Sequence, residues 1–267
     1  MIDKYLDHQK FRSTYVFTER IGHAFELALT AVNNKTEIVV AVGGDGTINE
    51  IASSLEGTRC IMGIIPCGSG NGLARSLSIP LNNKKALLRL NNLSTDQIDS
   101  GTINGKKFFN MAGVGFDAHI SKMFAQSITR GITGYVKTTF QELATYQAQQ
   151  YSIYIDGTLY EREAFMISIA NSSQFGNNAH ISPFASLKDG LLDVCIIKPF
   201  PFYSFPLMGI QMFSKTAHRS KFVEIIKGKE IKILRKSSAP VHLDGEPENM
   251  TSELHISIRP LSLTIVN

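Results

Sequence analysis

The stretch IVVAVGGDGTINEIASSL, residues 38–55, decides the fold. Five apolar residues, 38–42, run into the glycine-rich turn 43–46, and apolar residues at helical spacing follow. A continuous apolar run of this length predicts a strand buried on both faces, as in a parallel sheet covered by helices. Glycines let backbone N–H groups approach a phosphate closely, and the N-terminus of the following helix favours anions. The stretch therefore predicts an α/β unit with a phosphate-binding turn.

The acid in this turn, Asp45, needs its own explanation. A carboxylate beside phosphates is repelled unless a cation lies between them, so the turn implies Mg²⁺. The same carboxylate could accept a proton from an attacking hydroxyl. The simpler alternative is a tight turn in which Asp45 is the N-cap of the helix that follows. The turn matches neither the Walker A loop nor GxGxxG.

A second glycine-rich loop lies in IIPCGSGNGLAR, residues 64–75, where Gly68, Ser69 and Gly70 follow a buried strand and precede a helix. Ligands in open α/β sheets bind at the carboxyl ends of the strands. The two loops are therefore expected to form two sides of one phosphate pocket, with the Ser69 hydroxyl donating to a phosphate oxygen. Arg75 either reaches the phosphate as well or lies on the surface.

The composition excludes several classes of protein. The 267 residues are 43% apolar and 19% charged, and the net charge of +4 suits anionic ligands or membranes without the dense basic pattern of a nucleic-acid binder. Three scattered cysteines favour a reducing compartment. The amino-terminal residues do not resemble a signal peptide, and three prolines interrupt the most apolar run, 199–213. We expect a cytoplasmic protein with peripheral membrane contact.

The pattern along the chain changes near residue 96. Before that point, apolar strands alternate with helical patterns such as 19–32, which predicts a parallel sheet. After it, short strand-like runs and turns dominate, including the hairpin signal Asp156-Gly157, and 132–149 is the clear helical pattern.

The fold class predicted from this change is α/β followed by a β-rich part. We expect an α/β domain with a phosphate-binding edge over 1–95, and residues from about 258 to 267 are candidates to return to it. Residues 96–257 are expected to form a mostly antiparallel, β-rich domain.

Five motifs occur in the order seen in the diacylglycerol kinase catalytic-domain family, which the sequence resembles over nearly its whole length. They are GGDGTINE (43–50), PCGSGNGLAR (66–75), GVGFDA (113–118), DGLLDV (189–194) and LDGEP (243–247). GGDGT alone is shared with NAD kinases and phosphofructokinases, whereas the full ordered set is more specific to bacterial lipid kinases and to sphingosine and ceramide kinases.

The resemblance implies an enzyme that transfers the γ-phosphoryl group of ATP to a lipid hydroxyl with Mg²⁺ as cofactor. It assigns Glu246 as the proton acceptor and Asp45 as the acid that organises the metal and phosphates. In some relatives the acid at the position of Asp45 is treated as the base. It assigns the structural Mg²⁺ site to Asp189, completed by backbone carbonyls near Ser186 and Leu191. It also implies that a nucleotide-binding α/β domain, 1–95, faces a β-sandwich-like domain for the lipid substrate, 96–257, across a cleft. The residues it assigns to the nucleotide are Thr18, Gly43, Gly44, Asp45, Gly46, Thr47, Asn49, Glu50, Gly68, Ser69 and Gly70.

Read without the resemblance, two of these motifs have simpler alternatives. VHLDGEP is also compatible with a hairpin turn whose acids are solvated, and SLKDGLLDV with a turn that leads into a strand. Asp193 would then be a residue at the edge of that strand.

Two departures from the family pattern affect the expected chemistry. Many bacterial members carry Asp where this sequence has Gly72, so the second loop is closer to those of sphingosine and ceramide kinases, and Mg²⁺ handling is expected to differ. The family also begins with a strand and an Asn-Pro…Gly loop, whereas the printed sequence starts at the following helix. We expect weaker nucleotide binding than in a member that has this loop.

The lipid side is less sharply specified. Five aromatic residues could line an acyl pocket, although each is more simply explained by core packing: Phe108, Phe109, Phe116, Phe124 and Phe140. The apolar segment 199–213 is followed by Lys215, His218, Arg219 and Lys221, a combination that suits shallow docking on anionic lipid. A buried helix with a solvated basic end explains that segment equally well.

Three functions compete at this point. The first is a lipid kinase of lipid and phospholipid metabolism, acting on a diacylglycerol-like or sphingoid-like lipid at a membrane surface. The second is a kinase of a soluble substrate such as NAD, which leaves most of the ordered motifs unexplained. The third is a nucleotide- or lipid-binding protein without catalysis. No nucleic-acid partner or transmembrane segment is expected, and a homodimer is allowed.

Overall fold

The computed structural model describes residues 2–126, 139, 142, 143 and 145–267. Most of the helix expected over 132–149 lies outside these residues, as do Phe140 and the side chain of Phe124. Residues 139, 142 and 143 are helical. Seven α-helices have both ends among the described residues: α1 (Ile2–Tyr5), α2 (His23–Asn33), α3 (Asp45–Leu55), α4 (Gly72–Ser76), α5 (Asn83–Leu90), α6 (Phe116–Gln126) and α7 (Phe205–Phe213).

Sixteen strands accompany these helices among the described residues. They are β1 (Ile38–Gly43), β2 (Ile61–Pro66), β3 (Thr95–Ile103), β4 (Lys106–Phe108), β5 (Met111–Gly115), β6 (Gln149–Ile155), β7 (Thr158–Ala164), β8 (Met166–Ala170), β9 (Gln174–Gly176), β10 (Ala179–His180), β11 (Leu192–Ile197), β12 (Val223–Gly228), β13 (Glu230–Arg235), β14 (Ala239–Leu243), β15 (Glu246–Met250) and β16 (Glu253–Val266).

The first part of the chain forms the predicted α/β unit. Strands β1 and β2 pair in parallel, from Ile38 opposite Ile61 to Gly43 opposite Pro66. The buried residues of α3 recur at helical spacing and face this sheet: Ile48, Ile51, Ala52 and Leu55. The strand and helix predicted from 38–55 are therefore confirmed, and burial of the apolar side chains of α3 stabilises the unit. The expected burial of the strand on both faces is wrong, because β1 lies at the end of the sheet formed by the described residues: within β1 only Ala41 is buried, and Val42 is 52% exposed.

Helix α2 begins later than the pattern over 19–32 predicts. The residue before it, Gly22, has a left-handed φ of 82°, which ends any helical path from residue 19. The Glu50 carboxylate accepts the N–H groups of Gly22 and Ala24, so a residue of α3 caps the N-terminus of α2. The start of α2 thus depends on a contact distant in sequence.

The second part of the chain forms an antiparallel β-sandwich-like layer, which confirms the predicted fold class. A six-stranded sheet has the order β12-β11-β8-β5-β14-β15, and an eight-stranded sheet has the order β1-β2-β16-β13-β6-β7, with β3 bonded to β16 and β4 to β3. Apolar residues of both sheets meet in one core, with Ile153 and Ile233 on one side and Ile167 and Val194 on the other.

The last strand connects the two parts. β16 pairs antiparallel with β3 and β13, and its Ile265 pairs in parallel with Met62 of β2. The end of the chain thus lies in the same sheet as β1 and β2. The domain division near residue 96 stays a prediction.

The turn at Asp156-Gly157 and the apolar segment 199–213 both have a defined conformation. Asp156 and Gly157 both have left-handed φ values, 47° and 84°, and join β6 to β7, so the predicted hairpin is confirmed. The segment 199–213 contains α7, none of whose residues is buried, so the buried-helix alternative for this segment is wrong. Among the described residues, no helix is long and apolar enough to cross a bilayer.

Glu56 connects the α/β unit to the β-rich part. Its buried carboxylate lies 2.5 Å from Lys107 Nζ and 3.1 Å from Arg259 Nη1, and it accepts the Ser100 hydroxyl at 2.7 Å. Burial raises the pKa of Glu56, but the bonds from Lys107 and Ser100 outweigh it and leave that pKa below its ordinary value of 4.5.

We predict that Glu56→Gln lowers the free energy of unfolding at pH 7 by about 1–3 kcal/mol, because a buried charge-assisted network is broken. A lowered folded-state pKa contributes stability above the unfolded pKa that is lost as pH falls through the folded value. Urea unfolding should therefore show the gap between wild type and variant narrowing below about pH 5. Glu163→Gln, at an exposed position, is the control; equal stability of Glu56→Gln and wild type at pH 7 would contradict the prediction.

Candidate active site

The two glycine-rich loops meet where β1 and β2 end. The N–H of Cys67 donates to the carbonyl of Gly43 at 2.8 Å, which extends the parallel pairing by one bond. A Cβ added to Gly68 would lie 2.7 Å from the Cα of Gly44, closer than any side chain allows. Glycine is therefore required here by close approach of two backbones.

Asp45 holds the two loops together. Its carboxylate accepts the N–H of Asn71 and the N–H of Gly72, both at 2.8 Å, at the start of α4. Asp45 is itself the first residue of α3, whose N-cap is Gly44, so the alternative in which Asp45 is the N-cap is wrong. Burial raises the pKa of Asp45, and the charge of Asp244 adds to this, while the N–H groups of Gly72 and Asn71 oppose it.

Asn71 closes the second loop on itself. Its Oδ1 accepts the N–H of Gly68 at 2.9 Å, and its Nδ2 donates to the Gly68 carbonyl at 2.7 Å. Its φ of 52° is left-handed, a conformation that asparagine tolerates better than most residues. The sequence reasoning passed over Asn71, although an asparagine between glycines is the available signal for such a turn.

Glu246 comes to the same place from the second sheet. Strands β14 and β15 are joined by the two-residue turn Asp244-Gly245, with φ values of 50° and 96°, and Glu246 begins β15. A Cβ on Gly46 would lie 3.2 Å from Glu246 Oε1, so this carboxyl lies beside the first loop. The residue is exposed, yet surrounding protein raises its pKa by desolvation, and the charges of Asp45 and Glu50 raise it further.

Asp244 fixes the turn that carries Glu246. Its carboxylate accepts the N–H groups of Phe109, Asn110 and Met111 at 2.9–3.0 Å, and the Nδ2 of Asn49 at 2.7 Å. The simple-hairpin alternative for VHLDGEP requires the acids to be solvated, and Asp244 is not. The sequence reasoning assigned it no role, because its partners are distant in sequence.

The other residues predicted to bind nucleotide differ in their surroundings. Thr47 lies directly under Gly43, where a Cβ on the glycine would meet the Thr47 Cβ at 2.7 Å. Ser69 is exposed between Gly68 and Gly70. The Glu50 oxygens already accept the α2 N–H groups. Thr18 is exposed in a segment without helix or strand, so for all of these a nucleotide contact stays a prediction.

Gly72 is explained by a neighbouring side chain. A Cβ at this position would lie 2.7 Å from Asn110 Nδ2, which donates to the carbonyl of Gln174 at 3.1 Å. Asn110 Oδ1 also accepts the hydroxyl of Ser172. The volume that an aspartate side chain needs at residue 72 is thus occupied by a buried amide.

The residues expected to hold a structural Mg²⁺ do not fit that ion as they are arranged. Asp189 Oδ1 accepts the N–H of Leu191 at 3.2 Å, and Asp189 Oδ2 lies 2.9 Å from Lys227 Nζ. The same ammonium group lies 3.2 Å from Oδ1 of the buried Asp193. Lys227 therefore supplies the positive charge that a divalent cation would supply beside Asp189. The Ser186 hydroxyl accepts the Lys188 N–H, and a contact of the Ser186 and Leu191 carbonyls with an ion stays a prediction.

Two family models match the chain. The diacylglycerol kinase catalytic domain matches residues 1–103, and the YegS C-terminal NAD kinase beta sandwich-like domain matches residues 110–267. A probable lipid kinase YegS-like protein of Pseudomonas aeruginosa is 31% identical over 231 residues, which cover 85% of this chain and 75% of that protein. A diacylglycerol kinase of Bacillus subtilis is 27% identical over 238 residues, with 84% and 76% covered.

Solved structures share the fold. A diacylglycerol kinase of Bacillus anthracis str. Sterne has a TM-score of 0.74 and 22% identity, over 94% of this chain and 83% of that one. An NAD kinase from Archaeoglobus fulgidus, solved in complex with ATP, has a TM-score of 0.50 and 14% identity, over 94% and 90%. These likenesses show the two-part architecture.

We predict that Lys227 prevents Mg²⁺ from stabilising this region. The melting temperature of the wild type should not change between EDTA and millimolar Mg²⁺. In Lys227→Gln, Asp189 and Asp193 lose their shared cation, so Mg²⁺ should stabilise that variant with the logarithmic dependence of a ligand that binds the folded state.

Each protein is compared with itself in EDTA, so the intrinsic cost of losing the lysine does not enter. Lys232→Gln removes a lysine that pairs with the exposed Glu253 at 2.6 Å and serves as the matched control. Equal Mg²⁺ stabilisation of wild type and Lys227→Gln would show that Lys227 does not compete with the ion.

Proposed function

Because this chain belongs to the diacylglycerol kinase catalytic-domain family, we propose that it transfers the γ-phosphoryl group of ATP to the hydroxyl of a diacylglycerol-like or sphingoid-like lipid. The observation that supports this proposal most directly is the meeting of three elements. The loop after β1 and the loop after β2 lie so close at Gly44 and Gly68 that no Cβ fits between them. The Glu246 carboxyl lies beside the first of these loops. A nucleotide bound at these loops would have its phosphates next to a proton acceptor, as phosphoryl transfer requires.

The nucleotide would be held mainly by backbone. The turn 43–46 and residues 69–70 would present N–H groups at the carboxyl ends of two parallel strands, and helix α3 begins at the first of these loops. When bound with the nucleotide, Mg²⁺ neutralises the phosphate charge that Asp45 would otherwise repel. Asp45 acts by fixing both loops through its bonds to Asn71 and Gly72.

Glu246 is the group that we propose to accept the proton. The lipid oxygen forms a bond to the γ-phosphorus while the bond from that phosphorus to the β,γ-bridging oxygen breaks. The hydroxyl proton passes to Glu246, and ADP leaves with the bridging oxygen. The raised pKa of Glu246 strengthens it as a base once it is ionised, and Asp244 fixes the turn that carries it.

A labelling experiment tests this function. The protein is incubated with γ-labelled ATP, Mg²⁺ and a total lipid extract, and label is counted in the organic phase. Glu246→Gln should lower turnover by about 10²–10⁴-fold, the range for loss of a general base, with ATP affinity unchanged. Asp45→Asn should lower turnover by at least about 10²-fold and weaken ATP binding too, because an amide N–H would face the backbone donors of the second loop.

Glu248→Gln is the matched control, since this carboxylate lies two residues further along β15 and pairs with the exposed Lys106. A labelled aqueous product other than ATP and inorganic phosphate, with no label in the organic phase, would indicate a soluble substrate and contradict the proposal. Tight ATP binding without transfer to any phase would indicate a binding protein.

The proposal also predicts a pH dependence. Because the pKa of Glu246 is raised, kcat/KM should fall on the acid side with an apparent pKa above the ordinary 4.5 of a glutamate. Glu50→Gln removes one of the charges that raise this pKa, so the acid limb should move to lower pH. The melting temperature of Glu50→Gln shows whether loss of the α2 cap unfolds the variant. If the variant is folded and the acid limb of its kcat/KM profile stays at the pH of wild type, the assignment of Glu246 as the base is contradicted.

A further inference from the structure

Helix α7, the turn before it and Phe184 together expose an unusual number of large apolar side chains. The α7 surface is defined by six residues, with their exposed fractions: Phe184 68%, Phe202 58%, Tyr203 82%, Leu207 57%, Ile210 64% and Phe213 59%. None of the nine residues of α7 is buried. Isolated exposed apolar residues are ordinary on protein surfaces, but a contiguous group marks a site of interaction.

The arrangement along the helix shows that this surface is additional to normal packing. Met208 and Met212 contact the core cluster that contains Ile181 and Ile197, so one face of α7 is already used by the fold. Leu207, Ile210 and Phe213 recur at three-residue spacing and form a second apolar stripe. A helix that is apolar on two faces needs an apolar environment beyond its own protein.

The charge around the α7 surface identifies that environment. Residues 199–221 contain Lys215, Arg219 and Lys221 and no aspartate or glutamate. All three basic residues are exposed, and they follow the apolar stripe directly in the chain. Apolar and aromatic side chains rimmed by lysine and arginine are typical of segments that lie in the interface of a bilayer containing anionic lipid.

A cavity of about 340 Å³ opens beside this surface. Its lining is rich in aromatic residues, including Tyr146, Phe165 and Phe200, and it shares Phe202 with the α7 surface. Cavities of this size accept small apolar ligands or parts of them. An apolar group leaving the bilayer beside α7 would therefore find a protein cavity adjacent to it.

We propose that the α7 surface docks on an anionic lipid bilayer. Helix α7 lies in the plane of the interface, the stripe of Leu207, Ile210 and Phe213 enters the boundary of the acyl region, and the basic residues contact lipid phosphates. The proposal concerns binding to the bilayer without nucleotide, so it stands or fails separately from the phosphoryl transfer proposed above.

A second copy of this chain is a poorer occupant of the same surface. In a two-fold dimer the same patch lies on both sides of the interface, so the two sets of Lys215, Arg219 and Lys221 would gather around it. Like charges brought together in this way oppose association. Anionic lipid phosphates are attracted by the same three residues.

Sedimentation with vesicles tests the proposal in the absence of ATP. Vesicles are made of phosphatidylcholine alone or with one third phosphatidylglycerol. The wild type should bind the anionic vesicles more tightly than the neutral ones, and 0.5 M NaCl should weaken that preference. The double variant Leu207→Ser with Ile210→Ser should lower the partition coefficient at least about tenfold, because two inserted side chains are lost.

Two further variants make the test specific. Leu159→Ser is the matched control, since Leu159 is 47% exposed on β7, and its binding should equal that of wild type. Lys215→Gln with Arg219→Gln should weaken binding to anionic vesicles at low salt and have little effect at 0.5 M NaCl. Circular dichroism confirms that each variant is folded.

Two results would overturn the proposal. One is vesicle binding by the folded Leu207/Ile210 variant that equals that of wild type. The other is a change from dimer to monomer in that variant, measured by light scattering, while its vesicle binding is unaltered. This result would assign the α7 surface to contact between copies of the chain.

Discussion

The carboxylate of Asp45 is the group on which the site depends. By accepting the N–H groups of Asn71 and Gly72, one side chain joins the loop after β1 to the loop after β2. Gly44 and Gly68 can then approach to a distance at which no Cβ fits. The result is a pair of loops whose shape is fixed by a half-buried acid with a raised pKa. The cost of burying this carboxylate is tolerated because its bonds fix the geometry of both loops. An amide in its place would direct its own N–H toward the backbone N–H groups that the carboxylate accepts.

Asp244 repeats this device from the other sheet, since it holds three consecutive N–H groups and the amide of Asn49. Asn49 belongs to α3, so this contact fixes the turn of Glu246 relative to the helix that begins at Asp45. The consequence is a concentration of carboxylates at one place, which raises the pKa of Glu246. Triphosphate adds further negative charge, so a nucleotide must bring its counter-ion to bind there. Geometry and charge together favour phosphoryl transfer with a glutamate base.

The sequence was sufficient for the parts of the structure that depend on local chemistry. The apolar run before Gly43, the glycines after it and the Asp156-Gly157 turn each act within a few residues, and the fold class follows from their order. The partners of Glu50, Asp244 and Lys227 could not be predicted, because each lies on another element and is reached only after the sheets form. For the same reason the pattern over 19–32 misplaced the start of α2, and the charge partner of Asp189 was expected to be a metal ion.

The second sheet relates the candidate active site to the α7 surface. Strand β5 begins at Met111, whose N–H is held by Asp244, and ends at Gly115. The next residue, Phe116, packs on Tyr146 and Phe165 with ring centroids 5.2 and 4.5 Å away, and these two residues line the cavity beside α7. Five residues of strand span about 16 Å. One leaflet of a bilayer provides about half of its ~30 Å hydrocarbon core. β5 thus connects the turn that carries Glu246 with the cavity beside α7 over a distance close to the thickness of one leaflet.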